Sequence, residues 1–270
     1  MLKLPDMDIR KLAAKRHKAA PGICYQRHIT DLYAELEPRI RIASLDGATV
    51  EPISRDMASH FVTRYEWLGT LGRVTASYGL MLGGELLGVA AFGIMGGHAA
   101  NVCGAKYARK TVCLQRGACV HFAPRNSATF LISRACKIAA RDFGWRIFFA
   151  YADDRASELG TVYQAANWLY LGMGAGYSRH YNYHKGTRTI TSYQINHGGA
   201  KFMQTLGWKS GPKRPWLRAH GWKQTIEHGK HKYVHFEGTR AEQKAMRAAL
   251  RYEVLPYPKR ISEVTNADAV

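Results

Sequence analysis

From Ser54 to Leu68 apolar residues recur at helical spacing, with Met57, Phe61, Val62, Tyr65 and Leu68 on one face and Ser54 placed as N-cap. The pattern then changes to short apolar runs. Thr75–Leu82 and Leu86–Ile94 read as strands joined by Gly83–Gly84–Glu85, a hairpin with glycines where positive φ is needed. A looser Gly/Ala region spans 96–108. A strand is expected over Val112–Phe122, ending in the turn Ala123–Thr129 (APRNSAT). A helix follows over Ala128–Phe143, with Phe130, Leu131, Ala135, Ile138 and Ala139 at helical spacing and Gly144 as its stop. Arg146–Asp153 (RIFFAYAD) reads as another strand, and Glu158–Gly172 (ELGTVYQAANWLYLG) as a helix closed by Gly172. Two more strands, Tyr177–His184 and Arg188–Ile195, flank Lys185–Gly186–Thr187. This order predicts an α/β fold on a mixed sheet, occupying residues 40–196.

Residues 1–39 read as a basic, helical lead-in weakly committed to a core, and 197–270 as a basic extension. That extension holds a tryptophan-bearing segment (Gly207–Phe236), a helix over Thr239–Leu250 opened by the capping box Thr239-x-x-Glu242, and a flexible tail. No internal repeat is visible.

Composition changes this picture mainly through charge. Of 270 residues 46% are hydrophobic, enough for a core, but the net charge is +19. The excess sits late, with 17 Lys/Arg against 6 Asp/Glu over residues 179–270. Such a surface favours polyanions, nucleic acid first. Residues 1–22 (MLKLPDMDIRKLAAKRHKAAPG) lack an apolar core segment, so no signal peptide is expected, and Tyr78–Met95, the longest apolar tract, is broken by Gly83, Gly84, Glu85 and Gly88, so no membrane span is expected. The five cysteines (24, 103, 113, 119 and 136) are odd in number and lack CxxC spacing, which points to reduced thiols in a cytoplasm.

Four groups of residues offer chemistry. The strand–turn–helix at Val112–Cys136 would present free backbone amides at a helix N-terminus, with Arg125, Asn126, Ser127 and Ala128 in the turn; such residues are also ordinary caps. Asp153 lies at a strand's C-terminal end ten residues before Tyr163, whose hydroxyl can protonate a leaving group or steady an oxyanion; a helix cap and a packed aromatic are the structural alternative. His60 with Tyr65 marks the first helix. Lys209, Lys213, Arg214, Arg218 and Lys223 interleave with Trp208, Trp216 and Trp222, suiting phosphate contact and base stacking, or else a small core with a solvated face. The histidine groups 228/231/235 and 180/184/197 match no metal-site spacing, so no metal is expected.

The element order and donor-type turn resemble the GCN5-related N-acetyltransferase fold. YEWLG (65–69), YGLMLGGELLGVAAFG (78–93), APRNSATFLISRAC (123–136) and GTVYQAANWLYLG (160–172) more closely resemble the Mom DNA-modification proteins of bacteriophage Mu and its relatives, over roughly residues 50–236. The resemblance implies an enzyme of the host cytoplasm that converts adenine in double-stranded DNA to acetamido (methylcarbamoyl) adenine at the exocyclic amine, blocking restriction. It implies Tyr163, Asp153 and His60 as catalytic residues, and Arg116, Arg125, Asn126 and Ser127 as donor-binding residues. Lys209, Lys213, Arg214, Trp216, Arg218 and Lys223 are expected to hold nucleic acid. Where relatives of the fold carry a glycine-rich donor loop, this chain has PRNSAT, with fewer amides to face a pyrophosphate. The product's two carbons and one nitrogen match a glycyl group, so glycyl-tRNA stands beside acetyl-coenzyme A as the expected donor. Two other functions fit the residues: a non-catalytic nucleic-acid-binding protein, and an N-acetyltransferase acting on a protein or small amine.

Overall fold

The computed structural model describes residues 8–174, 181–191, 194–195, 199–226 and 229–259. The chain forms two compact units, one of residues 1–172 and 231–270, the other of 173–230.

In the first unit, two helices, α1 (Ile9–Ala19) and α2 (Tyr25–Leu36), come first. They bury Ala13, Ile29, Leu32 and Tyr33 in a small core shared with Tyr65 and Trp67. The lead-in is therefore helical and basic as expected, but it is packed rather than loosely attached.

β1 (Thr49–Pro52) and α3 (Arg55–Tyr65) follow, and the Ser54 hydroxyl caps α3 by accepting from the Met57 amide. Ala58, Phe61 and Val62 face the core, whereas Met57 and Leu68 are exposed. β2 (Ala76–Leu82) and β3 (Glu85–Ile94) turn through Gly83 and Gly84, both at positive φ. Short helical turns, including α4 (Ala100–Cys103), lead to β4 (Thr111–Cys119), which ends three residues before the expected Phe122.

α5 (Ser127–Phe143) buries Leu131, Ile132, Ala135, Cys136, Ala139 and Ala140 against the sheet and stops at Gly144, φ 67. β5 (Ile147–Asp153) then enters the sheet.

The stretch Glu158–Gly172 is not one helix. α6 covers only Thr161–Ala165, and β6 covers Leu169–Gly174. Asn167, at φ 57, turns the chain between them and lets Trp168 bury almost completely. Gly172 lies inside β6 at φ 77 rather than closing a helix.

The sheet has seven strands in the order β1-β2-β3-β4-β5-β10-β6, where β10 is Lys230–Phe236. β1 to β4 pair antiparallel, and β4 pairs parallel with β5. This is the expected α/β class on a mixed sheet. The β4–β5 ladder runs only from Thr111↔Ile147 to Leu114↔Ala150. Beyond it both strands continue unpaired to each other, to Cys119 and Asp153. The final helix of this unit, α9 (Arg240–Ala248), opens on the expected capping box of Thr239 and Glu242.

The second unit holds β7 (Tyr181–Lys185), β8 (Arg188–Ile190) and β9 (Lys223–Ile226) in a sheet of order β8-β7-β9, with α7 (Gly199–Gln204) and α8 (Lys213–Ala219). The two strands expected to end the main sheet thus belong to this separate sheet. The segment read as an extension instead returns β10 to the main sheet. Tyr183, Ile190, Ile195, Met203, Leu217 and Trp222 form the second unit's core, with Trp208 and Trp216 packed against it. No described helix is long and apolar enough to cross a membrane.

Candidate active site

Where β4 and β5 part, a cavity of about 590 Å³ opens in the first unit. Gly117, Ala118 and Cys119 of β4 and Ala152 of β5 line it, as do the β4–α5 turn and the segment 157–163. A parallel pair that splits leaves a gap between the two strand ends, and this is where open α/β sheets place ligands.

The β4–α5 turn supplies Arg125, Asn126 and Ser127 to the cavity. Asn126 is left-handed at φ 63 and sits at the N-cap without donating or accepting a side-chain cap bond. Ser127 is buried, and its hydroxyl donates to the Pro124 carbonyl at 2.8 Å, so it closes the turn. The Ser127 amide also goes to Pro124, leaving the amide of the cavity-lining Ala128 outside the helix's own ladder. With the helix dipole and the exposed Arg125 and Arg41 at its edge, this end of the cavity suits an anion.

Tyr163, half-buried, lines the same cavity. Its ring packs on Trp168 and Tyr233, each 5.2 Å between centroids. Burial first, and the Glu158 carboxylate second, push its hydroxyl well above the usual phenol range, so it stays protonated and can donate. Gly160 precedes it at φ 69, and a Cβ there would meet the Tyr233 ring.

Glu158, given no role by its sequence context, is the carboxylate on the cavity wall. The Trp67 indole N–H donates to its Oε1 at 2.9 Å and the Asp153 amide to its Oε2 at 3.0 Å. Glu66 lies nearby and is buried, its Oε2 accepting the Leu68 and Gly69 amides at 2.9 and 3.1 Å. Burial, opposed by Arg116, pushes its carboxyl up to about 7, and Glu158 adds to the rise. The link from Trp67 to Glu158 spans 91 positions, so no local pattern announces it.

The other expected residues lie elsewhere. Asp153 is buried but outside the cavity lining, held by Arg155, whose Nη2 donates to Oδ2 at 2.9 Å and whose amide donates to Oδ1 at 3.1 Å. His60 is exposed on α3, in a separate hollow with Asp56, Arg64 and Leu86. Arg116 donates to the Thr70 carbonyl at 2.5 Å and the Gln115 carbonyl at 2.6 Å, beside Glu66 rather than in the cavity.

In the second unit Trp222 is buried, and Trp216 stacks on His220 with ring centroids 4.0 Å apart. Lys209, Arg218 and Lys223 are exposed and Arg214 half-buried, while the Lys213 ammonium donates to the Ile195 carbonyl at 3.0 Å. The tryptophans are thus engaged in packing and the cations clothe them. His231 is buried on β10, where Tyr170 bonds its Nδ1 at 2.9 Å, and His235 bonds Glu237 at 2.8 Å. His184 bonds Thr189 and Thr225, while His180, His197 and His228 lie outside the described residues. Among the described residues no three His, Cys, Asp or Glu side chains gather as metal ligands.

A family model described as the Mom protein family matches residues 47–259, and the chain belongs to that family. No curated protein matches the chain in sequence. Among solved structures, the chain is similar to an IAA acetyltransferase from Bacillus cereus at 10% identity and TM-score 0.38, covering 70% of this chain and 99% of that one. It is similar to a spermidine N-acetyltransferase from Vibrio cholerae at 7% identity and TM-score 0.39, covering 71% and 94%. A third is a GNAT family acetyltransferase from Elizabethkingia anophelis with acetyl-CoA bound, at 9% identity and TM-score 0.37, covering 71% and 99%.

Proposed function

We propose that this member of the Mom protein family is a DNA adenine acyltransferase of the phage-infected host cytoplasm, which installs an acetamido group on the exocyclic amine and so shields DNA from restriction. One observation carries the reading: the α5 N-terminal turn, suited to an anionic donor, and the protonated Tyr163 hydroxyl share one cavity between the parted strands.

Adenine's amine is a poor nucleophile because its lone pair is delocalised into the ring. It must therefore be held near the donor carbonyl and lose a proton as it attacks. Glu158, oriented by Trp67 and the Asp153 amide, takes the base role here in place of Asp153 or His60. Tyr163 hydrogen-bonds the developing oxyanion and protonates the departing oxygen.

Glycyl-tRNA balances the atoms. The amine nitrogen bonds the glycyl carbonyl carbon as the ester bond to the tRNA breaks, and the tRNA oxygen leaves as a hydroxyl. Glycine's own amine then attacks the ring carbon that bears the acylated nitrogen, forming a five-membered spiro intermediate. When the old carbon–nitrogen bond breaks, glycine's nitrogen remains on the ring and adenine's former nitrogen becomes the terminal amide. Acetyl-coenzyme A, the alternative donor, supplies no nitrogen.

The test is nucleoside mass spectrometry of DNA from cells expressing the wild type or Tyr163→Phe and fed ¹⁵N-glycine. Acetamido-adenine labelled at the ring-bound nitrogen is expected for the wild type. Its yield should fall about 10²–10⁴-fold in the variant, the span of a lost general acid. Unlabelled acetamido-adenine would exclude a glycyl donor, a plain N-acetyladenine would move the donor to acetyl-coenzyme A, and no modified adenine in either sample would leave non-catalytic nucleic-acid binding as the function.

A further inference from the structure

We propose that the α1–α2 hairpin is a contact surface for duplex DNA that also forms one wall of the active-site cavity. The inference rests on the DNA-modifying reading above. The hairpin lies before the family-matched residues, which begin at 47.

Its inner side belongs to the site. Cys24, Gln26 and Thr30 line the cavity. The Gln26 side chain donates to the Tyr65 carbonyl at 2.7 Å and accepts the Trp67 amide at 3.0 Å, on either side of Glu66 and beside the indole that holds Glu158. The Ser157 hydroxyl donates to the Pro21 carbonyl, and the His17 ring sits 3.1 Å from the Arg155 carbonyl. Because Ser157 lines the cavity, the C-terminal end of α1 stands at the cavity rim.

On its outer side the α1 helix carries basic residues alone, while the acidic groups Asp8, Asp31 and Glu35 lie before it and on α2. α1 reads IRKLAAKRHKA, with no acidic residue. Arg10 is directed to the Thr63 carbonyl and Arg16 to Glu35. Lys11, Lys15 and Lys18 are exposed at i, i+4 and i+7, on one face spanning about 10 Å. Lys11 pairs with the exposed Asp8 at 3.3 Å; among the described residues Lys15 and Lys18 have no acidic partner. A row of ammonium groups on a helix whose C-terminal end stands at the cavity rim fits a phosphodiester backbone. Duplex DNA is the occupant because the reaction needs it with either donor, whereas tRNA enters with only one.

The experiment compares full-length wild type with the triple Lys11→Gln, Lys15→Gln, Lys18→Gln variant, titrated against an adenine-containing duplex and against tRNA over a salt series. The expected result is at least tenfold weaker duplex binding, a log–log salt slope shallower by about 0.9 for each phosphate no longer neutralised, and recovery in the Lys→Arg triple. Unchanged duplex affinity and slope overturn the proposal, as does a loss confined to tRNA. If the triple variant does not fold, amine labelling of the wild type decides: DNA should protect Lys15 and Lys18, and equal labelling with and without DNA overturns the proposal. Neither readout needs turnover, so a wild type that binds DNA yet modifies no adenine refutes the enzyme reading alone.

Discussion

At the scale of single residues, burial sets protonation states. Glu66 has its carboxyl raised from 4.5 to about 7, mainly by burial. A carboxyl raised in the fold favours the protonated form there. Its contribution to stability is complete below pH 4.5 and is lost as pH rises through 7. Glu66→Gln should therefore melt with the wild type near pH 4.5 and above it at pH 8, by up to about 3 kcal/mol. Thermal melts at the two pH values check this, and equal differences at both would refute it. The place of Tyr163 on the cavity wall could be suspected from the sequence, because a tyrosine stands out among the alanines of its segment. Glu158 was not, since an acid at the start of an expected helix already has a reason to be there. Its partner Trp67 becomes a neighbour only once the chain is folded.

Among the elements, those specified by short-range pattern came through: the Gly83–Gly84 hairpin, α5 with its Gly144 stop, and the Thr239 capping box. The segment after Glu158 did not, because a left-handed Asn167 divides apolar residues whose spacing serves a short helix and a strand alike. The turn into α6 is tightly specified as well. Gly160 needs positive φ and has the Tyr233 and Tyr163 rings where a side chain would go. Gly160→Ala should lower stability by about 1–3 kcal/mol, the range for overpacking, and displace Tyr163. Denaturant unfolding together with DNA modification measures both effects, and a variant with wild-type stability would contradict the tight turn.

For the whole molecule the dominant quantity is charge, and folding distributes it unevenly. The second unit, residues 173–230, carries ten Lys/Arg and one Glu. That late excess was plain in the sequence; its packing into a separate three-stranded unit was not, because the unit is closed by pairing between distant segments such as Tyr183 and Gln224. Changing Lys209, Arg214, Arg218 and Lys223 together to Gln should weaken duplex binding and flatten its salt dependence by about 0.9 for each phosphate left without a cation. Fluorescence anisotropy over a salt series reads both, with a melting curve to verify the fold. The sheet order also bears on how the protein is made. β10 stands between β5 and β6, although the second unit separates it from both in the chain. As the polypeptide leaves the ribosome, β5 and β6 emerge with the place between them empty, and they must wait for residues 230–236 before the sheet can close. Until then the nascent protein exposes one edge of β5 and a wholly unpaired β6, an arrangement open to misassembly.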